Sequence, residues 1–253
     1  MSTVHIVIPA RYGSSRLPGK PLKLIAGKTM IEHVYRQAEK SGFESIIVAT
    51  DDQRIADCVS DFSGNAIMTR NDHPSGTDRL AEVATLSGWD DDDIVINVQG
   101  DEPLLPPETI RYLAELTENS NALLSTLACQ IHEADDVFNS NIVKVVMDHR
   151  GYAHYFSRAP IPYNRNHFGE KSLGDTAYYR HIGIYAYRVK TLKKIPTLSA
   201  CPLEQAESLE QLRPMYHGIE IQVGILEKAP PHGVDTAEDL AHVEAILASA
   251  SDD

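Results

Sequence analysis

The first 120 residues of the chain alternate short apolar runs with amphipathic stretches. Residues 4–8 are an uninterrupted apolar run rich in β-branched side chains, which predicts a strand buried on both faces. Met30–Lys40 carries apolar residues at helical spacing and is followed by Gly42, which predicts an amphipathic helix with a C-terminal glycine. The same reasoning predicts strands at Ser45–Thr50, 66–69 and 94–98, and helices at 55–62, 77–86 and 106–119. This alternation indicates an α/β protein with a Rossmann-like, mostly parallel sheet and helices on both faces.

The pattern changes in the second half of the chain. Predicted strands at 123–131, 142–147, 152–156 and 181–187 follow one another with few helices between them. We interpret this part as a strand-rich extension, a subdomain at about 130–190 within a single domain spanning residues 1–253. Helices at 203–216 and 236–248 are predicted on either side of a strand at 219–225.

Composition excludes several classes of protein. The chain is 42% apolar and 23% charged, as in ordinary globular proteins, and no run approaches the roughly 18 apolar residues of a membrane span. A net charge of -13 argues against a nucleic-acid-binding protein. The three cysteines, Cys58, Cys129 and Cys201, form no CxxC pair, which suits a cytoplasmic protein without a structural zinc site.

Positive charge is concentrated at the N-terminus of this acidic chain. Residues 1–31 contain no acid and five cations: Arg11, Arg16, Lys20, Lys23 and Lys28. Three of these cations lie in the loop after the first strand, residues 9–21 (PARYGSSRLPGKP), where ligands of open α/β sheets bind. The loop therefore predicts a site for a phosphorylated anion, with a flexible loop and a chance cluster of charge as alternatives. It fits neither a P-loop nor a GxGxxG motif, which disfavours a nicotinamide oxidoreductase.

Three further motifs contain polar residues that are candidates for ligand or metal binding. Residues 75–79 (SGTDR) open a predicted helix, where free backbone amides bind a base edge or a phosphate, although a simple helix cap explains them equally well. Asp101 follows the strand at 94–98, beside the basic loop, as expected of a magnesium ligand. Asp235 is a candidate second ligand, and a cap of the last helix is the competing interpretation.

Taken together, these motifs resemble the 3-deoxy-manno-octulosonate (KDO) cytidylyltransferases. The matching segments are residues 8–22 (IPARYGSSRLPGKPL), 49–52 (ATDD), 75–80 (SGTDRL), 97–103 (NVQGDEP), 155–158 (YFSR), 180–188 (RHIGIYAYR), 207–213 (ESLEQLR) and 233–240 (GVDTAEDL). The resemblance implies the fold of the nucleotide-diphospho-sugar transferases and the reaction of CTP with KDO to give CMP-KDO and diphosphate. It further implies a Mg²⁺ cofactor, a homodimer formed through the strand-rich region, and a cytosolic step of lipopolysaccharide biosynthesis.

The resemblance also assigns roles to residues. It implies nucleotide binding by Ala10, Arg11, Gly13, Ser14, Lys20, Ser75, Gly76, Arg79 and Gln99. It implies sugar binding by Arg158, His181, Tyr185, Glu210 and Gln211. Asp101 and Asp235 would hold Mg²⁺, and together with Arg11 and Lys20 they form the expected catalytic set.

Alternatives remain open at this point. Residues 163–166 (YNRN) depart from the Trp-Asp-Arg-Asp run of relatives, so a related sugar acid, such as an amino-substituted KDO, is an alternative substrate. Another nucleotidyl- or glycosyltransferase on the same kind of sheet is a second alternative. A non-catalytic nucleotide-binding regulator is a third, although it would need the basic loop but not the carboxylate of Asp101.

Overall fold

A computed structural model describes residues 2–13, 17–170 and 172–249 of the chain. The strands are β1 (Val4–Ala10), β2 (Leu24–Ile25), β3 (Lys28–Thr29), β4 (Ser45–Thr50), β5 (Ala66–Met68), β6 (Ile94–Asn97), β7 (Leu124–Ile131), β8 (Lys144–Met147), β9 (Ala153–Ser157), β10 (Tyr178–Arg188) and β11 (Gln222–Leu226). The α-helices are α1 (Met30–Lys40), α2 (Gln53–Asp61), α3 (Gly76–Leu86), α4 (Pro107–Asn119), α5 (Ala134–Phe138), α6 (Val189–Lys194), α7 (Pro202–Glu207), α8 (Leu212–Tyr216) and α9 (Ala237–Ser249).

A central sheet contains all of these strands except β2 and β3, which pair with each other. Its order is β11-β7-β10-β6-β1-β4-β5. Strands β6, β1, β4 and β5 are mutually parallel, whereas β10 runs antiparallel to both β6 and β7. The carboxyl ends of β1, β4 and β6 therefore share one edge, and the loops that follow them meet there.

Both faces of the sheet are covered, which explains why its central strands are apolar without alternation. Ile6 and Ile8 of β1 belong to the core cluster that contains apolar residues of α1, α2 and α4. Val7 points to the opposite face and belongs to the cluster that contains residues of α3 and α6. The predicted α/β architecture with helices on both faces is confirmed.

The strand-rich second half joins the same sheet. β10 lies between β6 and β7 in the middle of the sheet, while β8 pairs with β10 and β9 pairs with β8. The description of residues 130–190 as a subdomain stays a prediction.

One predicted helix is wrong in a way that matters for the site. The expected helix at 203–216 is two helices, α7 and α8, separated at Ser208, whose backbone is left-handed (φ 53°, ψ 50°). Leu209 and Leu212 on the far side of the break are both buried, so the apolar spacing continues across it and hides it from the sequence. The predicted strand at 219–225 is shifted to Gln222–Leu226.

Four short elements escaped prediction. β2 and β3 have two residues each, α5 has five and α6 has six. Segments this short contain too few residues to show a helical or strand period. Among the described residues, no helix has the length and apolar character needed to cross a membrane.

Candidate active site

The Lys20 side chain joins three segments that are far apart in the sequence. Its Nζ atom lies 2.7 Å from Asp101 Oδ2 and 3.2 Å from Asp235 Oδ1. It also donates a hydrogen bond of 2.9 Å to the backbone oxygen of Val234. Lys20 follows β1, Asp101 follows β6 and Asp235 precedes α9, so the fold brings both predicted metal ligands within reach of one cation.

Two glycines allow these segments to approach so closely. A Cβ atom on Gly100 would lie 2.7 Å from the backbone oxygen of Pro9, so only glycine lets the loop after β6 pack against the end of β1. A Cβ on Gly233 would lie 3.1 Å from the backbone oxygen of Asp101, which also accepts a 2.8 Å hydrogen bond from the Val234 amide. The backbone itself therefore holds the Asp235 turn against Asp101.

The start of α9 separates the two interpretations of Asp235. The Thr236 hydroxyl accepts from the Asp239 amide at 3.2 Å, and Asp239 Oδ2 accepts from the amides of Thr236 and Asp235 at 2.8 and 3.0 Å. Thr236 and Asp239 thus supply the reciprocal cap that the helix needs. The carboxylate of Asp235 is directed to Lys20 instead.

A cavity of about 350 Å³, which we call the cradle cavity, surrounds this cluster at the carboxyl edge of the sheet. The loop after β1, the start of α3 and the loop after β6 form most of its wall. Eight of the nine predicted nucleotide ligands line it, namely Ala10, Arg11, Gly13, Lys20, Ser75, Gly76, Arg79 and Gln99, together with Asp101 and Asp235. The ninth, Ser14, lies outside the described residues.

The predicted nucleotide ligands differ in how they are held. Arg11 is exposed, so its guanidinium is accessible to an anion. Arg79 is 5% exposed and its guanidinium is bound by Asp51 at 3.1 Å and by the Thr69 hydroxyl. Ser75 caps α3 by accepting from the Asp78 amide, so the cap interpretation holds for its hydroxyl in this state. Gly76, the first residue of α3, also lines the cavity, and the backbone amide at a helix start has no acceptor within the helix.

A second cavity of about 320 Å³ adjoins the first, and we call it the tyrosine cavity after Tyr185 and Tyr187 in its wall. Four of the five predicted sugar ligands line it: His181, Tyr185, Glu210 and Gln211. The two cavities share Ser75, Gly76, Gln99 and Glu210 as wall residues. A ligand in either cavity would therefore reach the boundary with the other.

The break between α7 and α8 builds one wall of the tyrosine cavity. Ser208, Leu209, Glu210 and Gln211, which lie between the two helices, all line it. In a continuous helix these four successive residues would be spread around the helix axis, about 100° apart, so they could not all line one cavity. The element that the sequence pattern predicted wrongly is therefore the one that presents Glu210.

Burial controls the ionisation of the groups around the tyrosine cavity. Desolvation, aided by the positive charge of Arg180, lowers the pKa of His181 to about 3, so its imidazole is neutral at pH 7. Desolvation raises the pKa of Tyr185 well above 10. Glu210 lies at the exposed cavity mouth, yet the surrounding wall raises its pKa mainly by desolvation, and Arg213 opposes that shift.

Arg158 is the predicted sugar ligand that the structure does not bring to the tyrosine cavity. Its Nε donates 2.8 Å to the backbone oxygen of Glu207 and its Nη1 donates 3.1 Å to that of Ser140. Its amide is bound by the Glu207 carboxylate at 2.9 Å. In this chain Arg158 therefore fixes the end of α7, because the carbonyls at that end need donors.

Other wall residues were missed by sequence reasoning. Asn97 is 4% exposed and lines the tyrosine cavity, and its Oδ1, like the Tyr185 hydroxyl, has no hydrogen-bond partner among the described residues. Thr77, Tyr187 and Arg213 also line this cavity. All four lie inside the matching segments, so the motifs marked the positions but not their orientation.

The cradle cavity offers donors that suit a divalent cation. Two carboxylates, Asp101 and Asp235, already converge on one ammonium group. No group of three or more metal-binding side chains occurs in residues 2–13, 17–170 and 172–249. Mg²⁺ in such sites is usually held by one or two carboxylates together with substrate phosphates and water, so this pair of carboxylates fits the ion.

Comparison with known proteins identifies the family. A cytidylyltransferase family profile matches residues 5–221. The 3-deoxy-manno-octulosonate cytidylyltransferase of Hahella chejuensis is 56% identical over 99% of this chain and 100% of its own length. The chain belongs to the 3-deoxy-manno-octulosonate cytidylyltransferase family. The corresponding protein of Pseudoalteromonas translucida is 54% identical over 96% of this chain and 97% of its own.

Solved structures support the same assignment. A CMP:2-keto-3-deoxy-manno-octonic acid synthetase, solved with CTP, is 48% identical and covers 98% of this chain and 100% of its own, with a TM-score of 0.90. A putative glucose-1-phosphate thymidylyltransferase of Bacillus anthracis, at 16% identity and a TM-score of 0.66 over 96% and 95% of the chains, shares the fold. The family resemblance and the fold expected from the sequence are confirmed, and the chain is a nucleotidyltransferase.

Proposed function

We propose that this chain transfers CMP from CTP to KDO and releases diphosphate. The observation that carries this proposal is the pair of adjoining cavities with four shared wall residues. A nucleotide in the cradle cavity and a sugar acid in the tyrosine cavity would meet at Glu210 and Gln99. The names of the close relatives and the CTP bound to one of them support this choice of substrates.

The cradle cavity supplies charge for the triphosphate. Arg11 and Lys20 would bind its oxygens and neutralise the diphosphate as it leaves. Asp101 and Asp235 would hold Mg²⁺, which lowers the pKa of the attacking hydroxyl and shields phosphate charge when bound. The Lys20 ammonium holds these two carboxylates close together.

The tyrosine cavity orients the acceptor. The reaction needs a sugar hydroxyl to attack the α-phosphorus in line with the leaving diphosphate, which demands positioning rather than a protein nucleophile. Glu210, Gln211 and Tyr185 would hold the hydroxyls, while the apolar side chains of Leu124 and Ile195 limit the water around them. The hydroxyl of Tyr185 and Oδ1 of Asn97, which have no hydrogen-bond partner among the described residues, would gain partners from the sugar.

The setting of the reaction is part of the same proposal. CTP and a nucleotide-activated sugar acid suit a cytoplasmic step of lipopolysaccharide assembly, and the three cysteines are free. A homodimer through the aromatic strand-rich region is supported by Tyr163, which is 67% exposed. Light scattering should give twice the chain mass of 28.0 kDa, and a monomer at micromolar concentration would reject the dimer.

A substrate panel tests the function. CTP, UTP and GTP are each combined with Mg²⁺ and with KDO, an 8-amino analogue or an unrelated 2-keto sugar acid, and diphosphate release is measured. We expect release only with CTP and a KDO-type acid. Preference for another nucleotide, or for the amino analogue over KDO, would replace the proposed substrate. Diphosphate release that does not depend on any sugar would contradict the proposed transfer of CMP to a sugar acid.

A further inference from the structure

Thr126 lies on β7 opposite an irregular stretch of β10. Ile182 pairs with Leu127 and Tyr185 pairs with Thr126, so two residues of β10, Gly183 and Ile184, have no counterpart on β7. Such a bulge redirects the side chains of the strand that contains it. His181, two residues before the unpaired Gly183, and Tyr185, directly after Ile184, both line the tyrosine cavity.

The hydroxyl of Thr126 fills this bulge. It is fully buried and lies 2.8 Å from the backbone oxygen of Ile184 and 3.1 Å from that of Ile182. The same oxygen lies 3.1 Å from Nε2 of His181. One hydroxyl thus contacts the two carbonyls of the bulge and the ring of a cavity residue.

The count of hydrogens decides the direction of the contact with His181. A hydroxyl has one hydrogen, and carbonyl oxygens only accept, so Thr126 donates to Ile184 or Ile182. Towards His181 the Thr126 oxygen is then an acceptor. With the Thr126 hydrogen on either carbonyl, Nε2 of His181 is the atom that donates to Thr126.

The other ring nitrogen is left for a ligand. Because burial lowers the pKa of His181 to about 3, the ring is neutral, and a neutral imidazole with its hydrogen on Nε2 has a lone pair on Nδ1. Among the described residues, Nδ1 has no hydrogen-bond partner, and the ring lines the tyrosine cavity. His181 therefore offers the cavity an acceptor and no donor.

We propose that Thr126 is a positioning residue that fixes His181 in the Nε2–H form, so that His181 accepts a hydrogen bond from a sugar hydroxyl and does not bind the sugar carboxylate. This inference rests on the proposed function, since it names which part of the sugar acid faces His181. A carboxylate is itself only an acceptor, so it would repel the Nδ1 lone pair.

Nitrogen-15 NMR of the histidine rings tests, without any substrate, whether the hydrogen of His181 is on Nε2. The ligand-free chain is labelled at its histidine nitrogens, and His181→Gln identifies the signals of this ring. At pH 7 we expect hydrogen on Nε2 and none on Nδ1. A ring with hydrogen on Nδ1, or a charged ring, would overturn the inference whatever the enzyme does.

Variants of Thr126 test whether its hydroxyl positions His181 for binding of the sugar acid. Thr126→Val keeps the shape but lacks the hydroxyl, and Thr126→Ser keeps the hydroxyl. With Thr126→Val we expect KM for the sugar acid to rise about tenfold, because a fixed acceptor is lost, while KM for CTP changes less than about twofold. Thr126→Ser should restore KM to within about threefold of wild type, since its hydroxyl makes the same contacts.

The neighbouring serine is a matched control. Ser125 is fully buried on the same strand, and its hydroxyl has no hydrogen-bond partner among the described residues. Ser125→Ala should therefore leave KM for the sugar acid unchanged. An unchanged KM in Thr126→Val, or an equal rise in Ser125→Ala, would overturn the inference.

The outcomes also separate this inference from the proposed function. Loss of turnover with every sugar acid in the wild-type chain would count against the proposed function. Normal wild-type turnover with an unaffected Thr126→Val would count against the inference alone. If Thr126→Val does not fold, as judged by circular dichroism, the NMR result on the wild-type ring decides.

Discussion

The cradle cavity and the tyrosine cavity lie side by side, but different interactions shape them. Loops held together by charge form the first, with Lys20 bridging Asp101 and Asp235. Backbone irregularities form the second, namely the bulge of β10 and the left-handed Ser208 between α7 and α8. Removing charge should therefore damage the first cavity, whereas changing backbone preference should damage the second.

Loss of the central cation should have the largest effect. Lys20→Ala removes the charge that would neutralise the diphosphate. We expect the transition state to lose about 2–4 kcal/mol of stabilisation, which lowers kcat/KM by about 30- to 1,000-fold. Lys23→Ala is the matched control, because Lys23 belongs to the same basic segment but lines neither cavity. Steady-state diphosphate release measures both variants. A Lys20→Ala enzyme within threefold of wild type would contradict the assigned role.

Loss of one carboxylate should slow the chemical step more than it weakens the binding of CTP. Asp235→Asn removes charge from the metal pair but leaves the cap of α9, which Thr236 and Asp239 provide. We expect the single-turnover rate to fall at least about a hundredfold, with CTP affinity by calorimetry largely kept. Glu238→Gln, an exposed change in the same helix, should leave both unchanged. A normal single-turnover rate would remove Asp235 from the metal site.

A change of backbone preference should act only on the tyrosine cavity. Ser208→Val places a β-branched residue at φ 53°, which costs about 1–3 kcal/mol and should disturb the segment that presents Glu210. We expect KM for the sugar acid to rise about tenfold while the affinity for CTP stays near wild type. Ser208→Gly tolerates this φ and should bind the sugar acid normally. Equal loss of CTP and sugar binding in Ser208→Val would show that the two cavities are not separable.

The effect expected to be smallest at neutral pH concerns the protonation of His181. The unfolded chain protonates His181 near its ordinary pKa of 6.5, whereas the folded chain resists protonation until about pH 3. The unfolded state therefore binds more protons between these values, and His181 makes the free energy of unfolding fall as pH drops through this window. Denaturant unfolding of wild type and His181→Gln should show a difference that changes with pH in that direction. A difference independent of pH would contradict a His181 ring that stays neutral in the folded chain.

The same contrast explains how much of the molecule could be predicted from its sequence. The central strands and α1 could be predicted because continuous apolar runs and helical spacing follow directly from burial on a two-sided sheet. Lys20 and Asp101 could be picked out because charges and glycines at strand ends have few structural uses, whereas for Asp235 a helix cap explained the sequence equally well. Their meeting point depends on long-range topology, which local patterns do not contain.

The tyrosine cavity was harder to predict for a physical reason. The left-handed backbone at Ser208 and the extra residues Gly183 and Ile184 leave the apolar spacing around them unchanged. Arg158 shows the same limit, because a matching motif placed it near the sugar while the structure uses its guanidinium to bind carbonyls. The orientation of the residues around this cavity depends on backbone geometry that the apolar spacing does not contain.

The central claim is that the two cavities cooperate in a single transfer reaction. Mass spectrometry of one reaction mixture with CTP, Mg²⁺ and KDO, beside a diphosphate assay, tests it most directly. We predict that a CMP ester of KDO and diphosphate form in equal amounts, and that omission of KDO abolishes both. Diphosphate or CMP released without the sugar ester would contradict the account.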